Sequence, residues 1–246
     1  MKRMICFVLI LVSLTGCGRQ AETVHTSAPV QTTSAPAQTV VETPASTVET
    51  PAATLETTVP TTAPEPEDGD FVRVTVWLPT VREELAYATE HNFTGQRIYD
   101  FTEGFLRYGT VKKLALVCEE LETRGLGLIL WDGFRPLTAQ GKLWEACPDP
   151  NYVSPPGTGT RSHCRGNTVD ISLYDLQTGE EIPMPTGFDD FSLLADRDYS
   201  DCAPEAAENA RLLESIMEKH GFKPYFKEWW HFSDTVDYPI EETFSP

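Results

Sequence analysis

The stretch RSHCRGNTVDISL, residues 161–173, combines a regular hydrophobic pattern with residues that can carry chemistry. From residue 168 onward, apolar and polar residues alternate, which predicts a strand with one apolar face and one polar face. Asp170 falls on the polar face, and His163 lies in the loop that leads into the strand. Taken alone, a loop histidine is more simply interpreted as a hydrogen-bond partner of the backbone. The function of this pair therefore depends on what the rest of the chain provides.

The segment EWWHF, residues 228–232, provides a second carboxylate and a second imidazole. Glu228 and His231 are three positions apart, so on a flat strand their side chains point to opposite faces. For both to serve one site, we expect the backbone to bulge or turn between them. The alternative is a core strand with a hydrogen-bonded histidine and a glutamate that reaches solvent.

Together these segments predict a metal site of two imidazoles and one carboxylate, from His163, Asp170 and His231. Such a set suits Zn²⁺ with a fourth position left for water. A hydrolytic zinc site also needs a carboxylate that is not a ligand and acts as general base, and Glu228 is the candidate.

Hydrolysis through a tetrahedral intermediate further requires a donor for the developing oxyanion. The segment WDGFRP, residues 131–136, offers Arg135 directly after an apolar run. Its turn is fixed by Gly133 and Pro136, so the guanidinium can be held rigidly. The alternative role for this arginine is an ion pair with one of the many surface carboxylates.

Strands and helices are interleaved along the chain, without a βαβ unit of regular length. Apolar runs and alternation predict strands at 71–78, 127–131, 168–173, 222–226 and 228–232. Apolar stripes that end at Gly or Pro predict helices at 102–124, 136–147 and 204–220. The pattern favours an α+β single domain, with a mainly antiparallel sheet flanked by helices and the zinc site on the sheet.

Three regions of different composition divide the chain. Residues 1–17 have a basic start, a short apolar run and the lipobox-like tetrad LTGC, which predicts a lipoprotein signal peptide with lipidation at Cys17. An ordinary signal peptide is the alternative. Residues 18–69 are rich in Thr, Pro and Ala and predict a disordered tether, because they can bury too little apolar surface to fold. Residues 70–246 have the apolar content of one folded domain.

The net charge and the predicted signal peptide limit which partners and which compartment are possible. A formal net charge of −18 argues against nucleic acid and anionic membrane surfaces as partners. We expect an extracytoplasmic protein that is lipid-anchored to the bacterial cell membrane, touches the membrane only through its N-terminal lipid and lies close to peptidoglycan. In that compartment the four cysteines of the folded region permit up to two disulfides, and inert free thiols are the alternative. They are Cys118, Cys147, Cys164 and Cys202.

Four segments carry a family resemblance: WDGFRP, SHCRGNTVDISLYDLQTGE, RLLESIMEKHGF and EWWHF. They resemble the zinc D-alanyl-D-alanine dipeptidases of the vancomycin-resistance type, a group of D-Ala-D-Ala metallopeptidases related in fold to lysostaphin-like enzymes and the hedgehog signalling domain. The resemblance covers roughly residues 71–234, in order and with nearly matching spacings. It implies one zinc ion per domain, Glu228 as base and Arg135 as transition-state donor. The ligands that it implies are His163, Asp170 and His231.

The resemblance also implies a substrate and a pocket. It implies hydrolysis of the D-alanyl-D-alanine dipeptide to D-alanine, with Asp189 binding the free amine and with Tyr87 and Ser162 lining the pocket. The predicted signal peptide and tether, and not the resemblance, place this reaction at the extracytoplasmic surface. The alternative is a D,D-carboxypeptidase or endopeptidase acting on peptidoglycan stem peptides. A metal-bearing binding module is a third possibility, but such a module needs neither a base nor an oxyanion donor. Two departures are Arg161, where the nearest relatives carry a second serine, and Cys164, which replaces a small hydroxyl residue.

Overall fold

The computed structural model describes residues 64–246. The predicted signal peptide and lipobox at 1–17, and the predicted tether up to residue 63, lie outside the described residues. Within the described part, no helix combines the length and apolar character needed to cross a membrane.

The strands of the described region are short, and most belong to one sheet. They are β1 Phe71–Arg73, β2 Arg82–Glu83, β3 Phe105–Arg107, β4 Leu126–Asp132, β5 Thr168–Asp175, β6 Phe222–Tyr225 and β7 Glu228–Asp234. The helices of the same region are α1 Val74–Trp77, α2 Tyr108–Glu122, α3 Leu137–Ala146 and α4 Pro204–Lys219.

The main sheet has five strands in the order β2-β4-β5-β7-β6. Only the β2–β4 pair is parallel, whereas the other three pairs are antiparallel. Strands β1 and β3 form a separate antiparallel pair. Helix α2 packs on β4, and α4 packs on β6 and β7. The predicted α+β domain with a mainly antiparallel sheet and flanking helices is therefore confirmed.

The centre of the sheet is buried, and this explains its apolar sequence. Six residues at the start of β5 are buried, as are the last six of β4. Complete burial of each leucine or isoleucine side chain in these strands contributes roughly 1.5–3 kcal/mol to folding. The two central strands are thus fixed firmly enough to hold polar side chains at their ends in defined positions.

The strand predicted for 71–78 is wrong beyond Arg73. The amide of Val74 donates to the carbonyl of Gly104 at 2.8 Å, and the chain then forms the single turn α1. Val74 and Leu78 are both buried and four residues apart, so the same apolar spacing also fits a helical turn. The hydrogen bond from Val74 to Gly104 continues the β1–β3 register by one residue, and the helical turn follows it directly.

The helix predicted for 102–124 is correct only from Tyr108 onward. The residues before it form β3, which pairs with β1 in the register Val72↔Leu106. Its C-terminal end is as predicted, because Gly125 adopts φ 75°, a conformation that suits glycine at a helix end.

The remaining predicted elements are confirmed with shifts of one to two residues at their ends. They are the strands at 127–131, 168–173, 222–226 and 228–232 and the helices at 136–147 and 204–220. All four cysteines of this region are free thiols. Burial raises the pKa of Cys118 to about 12 and that of Cys164 to about 11, so both are unreactive at neutral pH.

Candidate active site

The first imidazole lies on a short 3-10 turn, Ser162–Arg165, that leads into β5. The turn is bounded by two residues in the left-handed region, Arg161 at φ 48° and Gly166 at φ 73°. The Nδ1 of His163 lies 2.8 Å from the carbonyl oxygen of Gly133, to which it can donate. That bond leaves Nε2 as a lone-pair donor toward the sheet, the arrangement typical of a metal-binding histidine.

The carboxylate and the second imidazole lie directly opposite each other on neighbouring strands. In the antiparallel register of β5 and β7, Asp170 pairs with His231. Directly paired residues present their side chains on the same face, within contact distance. The register of the sheet therefore brings together two residues that are 61 positions apart in the sequence.

The three predicted ligands converge on one point. His163 Nε2 lies 3.2 Å from Asp170 Oδ2 and 3.3 Å from His231 Nδ1, and His231 Nδ1 lies 3.0 Å from Asp170 Oδ1. Donor atoms at tetrahedral corners about 2.0–2.1 Å from one ion are roughly 3.4 Å apart. The observed separations are close to that value, so the three groups can share one metal ion.

Two further properties of Asp170 support a cation at this point. Its Oδ1 atom is buried and, among the described residues, accepts no hydrogen bond. Burial acts to raise the pKa of Asp170, but the His163 and His231 imidazoles outweigh it and hold the pKa far below its usual range. An ionised, buried carboxylate with an unpaired oxygen is costly unless a positive charge lies beside it. The donor set thus fits a metal ion.

The backbone bulges between Glu228 and His231, as the sequence predicts. Adjacent residues Pro224 and Tyr225 of β6 pair with Phe232 and Glu228 of β7, which are four positions apart. The extra residues turn both functional side chains into one space, with Glu228 Oε2 3.3 Å from His231 Nδ1. Burial raises the pKa of Glu228 to about 7, although the neighbouring imidazole acts to lower it. A carboxylate with that pKa can both accept and release a proton near neutral pH.

Arg135 is held in a buried ion pair at the end of β4. Its Nη2 and Nε donate to Asp132 Oδ2 at 2.6 and 3.0 Å, and its Nη1 donates to Gln140 at 3.0 Å. The same Nη2 lies 4.0 Å from Asp170, so the guanidinium faces the predicted ligand set. Its partner is therefore a buried acid and not a surface carboxylate.

The three residues predicted to contact substrate lie around the same space. Tyr87 donates its hydroxyl hydrogen to Asp189 Oδ2 at 2.8 Å, and its ring lies under the Arg135 guanidinium at 5.1 Å. Asp189 adopts φ 55°, and burial raises its pKa to about 7. Ser162 Oγ lies 3.4 Å from His231 Nε2.

All eight predicted residues line one cavity of about 330 Å³. They are Tyr87, Arg135, Ser162, His163, Asp170, Asp189, Glu228 and His231. The structure thus brings every candidate together, and none lies elsewhere in the fold.

Sequence reasoning missed Asp132 and its partner Tyr99. Asp132 has no exposed surface and accepts hydrogen bonds from Tyr99 Oη at 2.6 Å and the Gly133 amide at 2.9 Å, besides those from Arg135. Its Oδ2 also lies 3.6 Å from His163 Nδ1. A signal was present, because an aspartate directly after the apolar run LGLILW is a charge that must find partners in the interior.

Comparison with known proteins places this geometry in a family. A family model described as D-ala-D-ala dipeptidase matches residues 67–245. A D-alanyl-D-alanine dipeptidase of Escherichia coli is 35% identical over 173 residues, covering 70% of this chain and 89% of that protein. One from Enterococcus faecium is 34% identical over 175 residues, covering 62% and 85%. A solved structure of VanYB in complex with D-alanine-D-alanine gives a TM-score of 0.37 at 15% identity, over 54% of this chain and 73% of that one.

The family match spans most of the chain, including every residue of the cavity, and the relatives exceed 30% identity over most of their own length. The chain belongs to the D-Ala-D-Ala dipeptidase family of metal-dependent peptidases.

Proposed function

We propose that this protein hydrolyses the dipeptide D-alanyl-D-alanine to two molecules of D-alanine. The observation that carries the proposal is the convergence of a His-Asp-His ligand set and a buried, non-ligand glutamate on one cavity. A binding module has no use for a carboxylate whose pKa is tuned to about 7 beside such a set. The names of the E. coli and E. faecium relatives supply the substrate class.

We further propose that the metal is zinc, one ion per domain, held by His163, Asp170 and His231. Two nitrogens and one oxygen at these separations suit its tetrahedral preference, with one position left open. Zinc bound there lowers the pKa of a coordinated water to about 7 and polarises the scissile carbonyl.

Glu228 is the general base in this scheme. Its carboxylate takes a proton from the attacking water as the water oxygen bonds to the carbonyl carbon. The Glu228 carboxyl group then gives that proton to the amide nitrogen as the C–N bond breaks, which yields a neutral leaving amine. The pKa of about 7 suits both transfers, because neither the ionised nor the protonated form is strongly favoured.

Arg135 stabilises the oxyanion of the tetrahedral intermediate. Its guanidinium is fixed by three hydrogen bonds to Asp132 and Gln140 before substrate binds, so the donor does not need to reorganise during the reaction. Its position 4.0 Å from Asp170 places the positive charge next to the ligand set.

The free amine of the substrate binds Asp189 in this proposal. Tyr87 holds that carboxylate through a 2.8 Å hydrogen bond, and Ser162 lines the wall beside His231. An ammonium group beside Asp189 favours the ionised acid, so binding of the substrate reverses the effect of burial on its pKa.

We propose that the reaction takes place at the extracytoplasmic surface, with the chain anchored to the membrane through lipid on Cys17. Residues 1–17 and the tether-like composition of residues 18–69 support this location. A surface enzyme of this kind would trim or recover dipeptide released from peptidoglycan. Growth of a deletion strain on external D-Ala-D-Ala at the parental rate would contradict that role.

The test is hydrolysis by the full chain, with metal content measured on the same sample. We expect one zinc per chain, release of D-alanine from the free dipeptide and little release from a pentapeptide stem that ends in D-Ala-D-Ala. Faster release from the stem would replace this proposal with a D,D-carboxypeptidase. If the zinc-loaded protein releases D-alanine from neither substrate, both the dipeptidase and the D,D-carboxypeptidase functions are contradicted.

A further inference from the structure

The cavity holds two cationic side chains, and their surroundings differ. Arg135 forms an ion pair with the buried Asp132, to which it donates two hydrogen bonds. Arg161 lines the same cavity, but its side chain donates to uncharged carbonyl oxygens, from Nε to Gly159 at 3.2 Å and from Nη1 to Pro156 at 3.0 Å. Within residues 64–246 its guanidinium pairs with no carboxylate, although the chain contains 37 acidic residues.

The backbone of Arg161 is held in an unusual conformation by its neighbours. Its φ of 48° lies in the left-handed region, which a non-glycine residue adopts at a cost of about 1–3 kcal/mol. Two bonds fix it there: its amide donates to Ser154 Oγ at 3.1 Å, and its carbonyl accepts from the Cys164 amide at 3.0 Å. Strain that is maintained in this way often has a functional reason.

The hydrogen bonds from the Arg161 side chain to the carbonyls of Gly159 and Pro156 also limit how that side chain can move. They occupy Nε and one hydrogen of Nη1, and they anchor the guanidinium against the 154–161 loop. Among the described residues, Nη2 donates to no acceptor. A planar guanidinium with free N–H groups, fixed at a cavity wall, is suited to binding a carboxylate.

The acidic groups of the cavity cannot bind the carboxylate of a dipeptide substrate. Besides the proposed metal ligands, Asp189 and Glu228 can carry negative charge. A free dipeptide is a zwitterion, so its carboxylate would be repelled by each of these acids. The ends of two extended residues are at most about 7 Å apart, so a cation for the carboxylate must belong to the same small cavity as the amine-binding acid.

We propose that Arg161 binds the C-terminal carboxylate of the dipeptide and is therefore a specificity-determining residue of this chain. The inference rests on the proposed dipeptidase function. Arg161 directly precedes the short turn Ser162–Arg165, which carries the proposed ligand His163. A substrate held between Asp189 and Arg161 would lie in the cavity that the ligand set and Glu228 also line.

The test compares D-Ala-D-Ala with its C-terminal amide, which keeps the amine and the scissile bond but lacks the carboxylate. The full chain, loaded with zinc, is assayed as wild type, Arg161→Gln and Arg161→Lys. We expect Arg161→Gln to lower the ratio of kcat/KM for the dipeptide over the amide by about tenfold or more, mainly through KM, because a charge-assisted bond is lost. Arg161→Lys should keep most of the ratio because it keeps the charge. Arg211→Gln, an exposed arginine on α4, is the matched control and should leave the ratio unchanged.

A purely structural role gives a different pattern. If Arg161 only holds the 154–161 loop, Arg161→Gln and Arg161→Lys will slow hydrolysis of both substrates equally, and the unchanged ratio would overturn the inference. Calorimetry in a Glu228→Gln background adds a readout without turnover, in which Arg161→Gln should weaken binding of the dipeptide about tenfold and of the amide little. Equal weakening of both, or none, also overturns it. Wild-type protein that hydrolyses neither substrate refutes the proposed function instead, and the calorimetric comparison still decides the role of Arg161.

Discussion

Asp132 and Arg135 form a buried ion pair in which one carboxylate oxygen accepts two hydrogen bonds from the guanidinium, at 2.6 and 3.0 Å. The acid has no exposed surface, and its second oxygen accepts from Tyr99 and from the Gly133 amide. Asp132 thus holds the proposed oxyanion donor in place, and its Oδ2 also lies 3.6 Å from Nδ1 of His163. We expect it to be a positioning residue that acts through both side chains.

Asp132→Asn should reduce both stability and turnover. The amide keeps the volume of the acid but leaves the guanidinium without its counter-charge, and breaking a buried pair in this way costs about 3–5 kcal/mol of unfolding free energy. We expect kcat to fall on the order of a hundredfold, since a misaligned oxyanion donor costs about as much as a missing one. Urea unfolding and steady-state kinetics measure the two effects.

The matched control is Asp237→Asn, which removes the acid from the exposed Arg165–Asp237 pair. Asp237 is 87% exposed, so its loss should change stability by less than about 1 kcal/mol and leave kcat unchanged. Equal effects of the two substitutions would contradict the positioning role of Asp132.

Glu228→Gln should separate catalysis from metal binding. The amide cannot accept a proton, so we expect kcat to fall by about a hundredfold to ten-thousandfold, while zinc content stays at one per chain. Glu145→Gln, an exposed glutamate on α3, should affect neither quantity. Loss of zinc in Glu228→Gln would instead make this carboxylate a ligand.

Much of this site was predictable because its signals are local. The alternation of β5 fixes the face of Asp170, and the three-residue spacing in EWWHF requires a bulge if Glu228 and His231 are to share a site. The interaction between Asp132 and Arg135 is also local in sequence, but no pattern indicates that an arginine three residues after an acid will turn back onto it. That contact depends on the turn at Gly133, whose amide also binds the acid.

The two errors in the predicted fold do not have local signals, because they depend on partners distant in sequence. The segment 71–78 alternates like a strand, yet its strand ends where Val74 donates to Gly104, 30 positions away. The sequence around residue 102 continues the apolar stripe of α2, yet residues 105–107 pair with β1. In both segments the tertiary context overrode local propensity.

The rate should fall on the acid side of neutrality. Burial raises the pKa of Glu228 to about 7, and the base must be ionised to accept a proton. Protonation below that value therefore lowers kcat by about tenfold per pH unit, and a bound cation moves the midpoint to lower pH. A pH profile of kcat between pH 5 and about 9 measures the limb. The fall in kcat at acid pH should persist in Asp189→Asn. If it disappears there, the titrating group is Asp189 and not Glu228.

Asp189→Asn should weaken substrate binding more than it slows chemistry. Asparagine tolerates the left-handed φ of 55° at this position, so the backbone need not change. If Asp189 binds the ammonium as proposed, loss of its charge should raise KM by about tenfold to a hundredfold. Asp190→Asn is the matched control in the same loop, because that carboxylate faces the Ser192 amide and not the cavity. A lower kcat at unchanged KM would contradict the assignment.

Gly166→Ala should disturb the metal site from outside the cavity. Gly166 has φ 73°, and a Cβ there would lie 2.3 Å from the Phe71 ring, so alanine meets both backbone strain and a clash. Gly179 has nearly the same φ, 74°, but a Cβ there meets nothing within 4 Å, so Gly179→Ala isolates the cost of the backbone conformation, about 1–2 kcal/mol. We expect Gly166→Ala to lose more unfolding free energy than Gly179→Ala.

Gly166→Ala should also bind zinc more weakly, because Gly166 ends the turn that carries His163 and donates its amide to the carbonyl of that residue at 3.0 Å. Zinc titrations of the two variants decide the point, and equal zinc affinity would mean that the turn does not position the ligand.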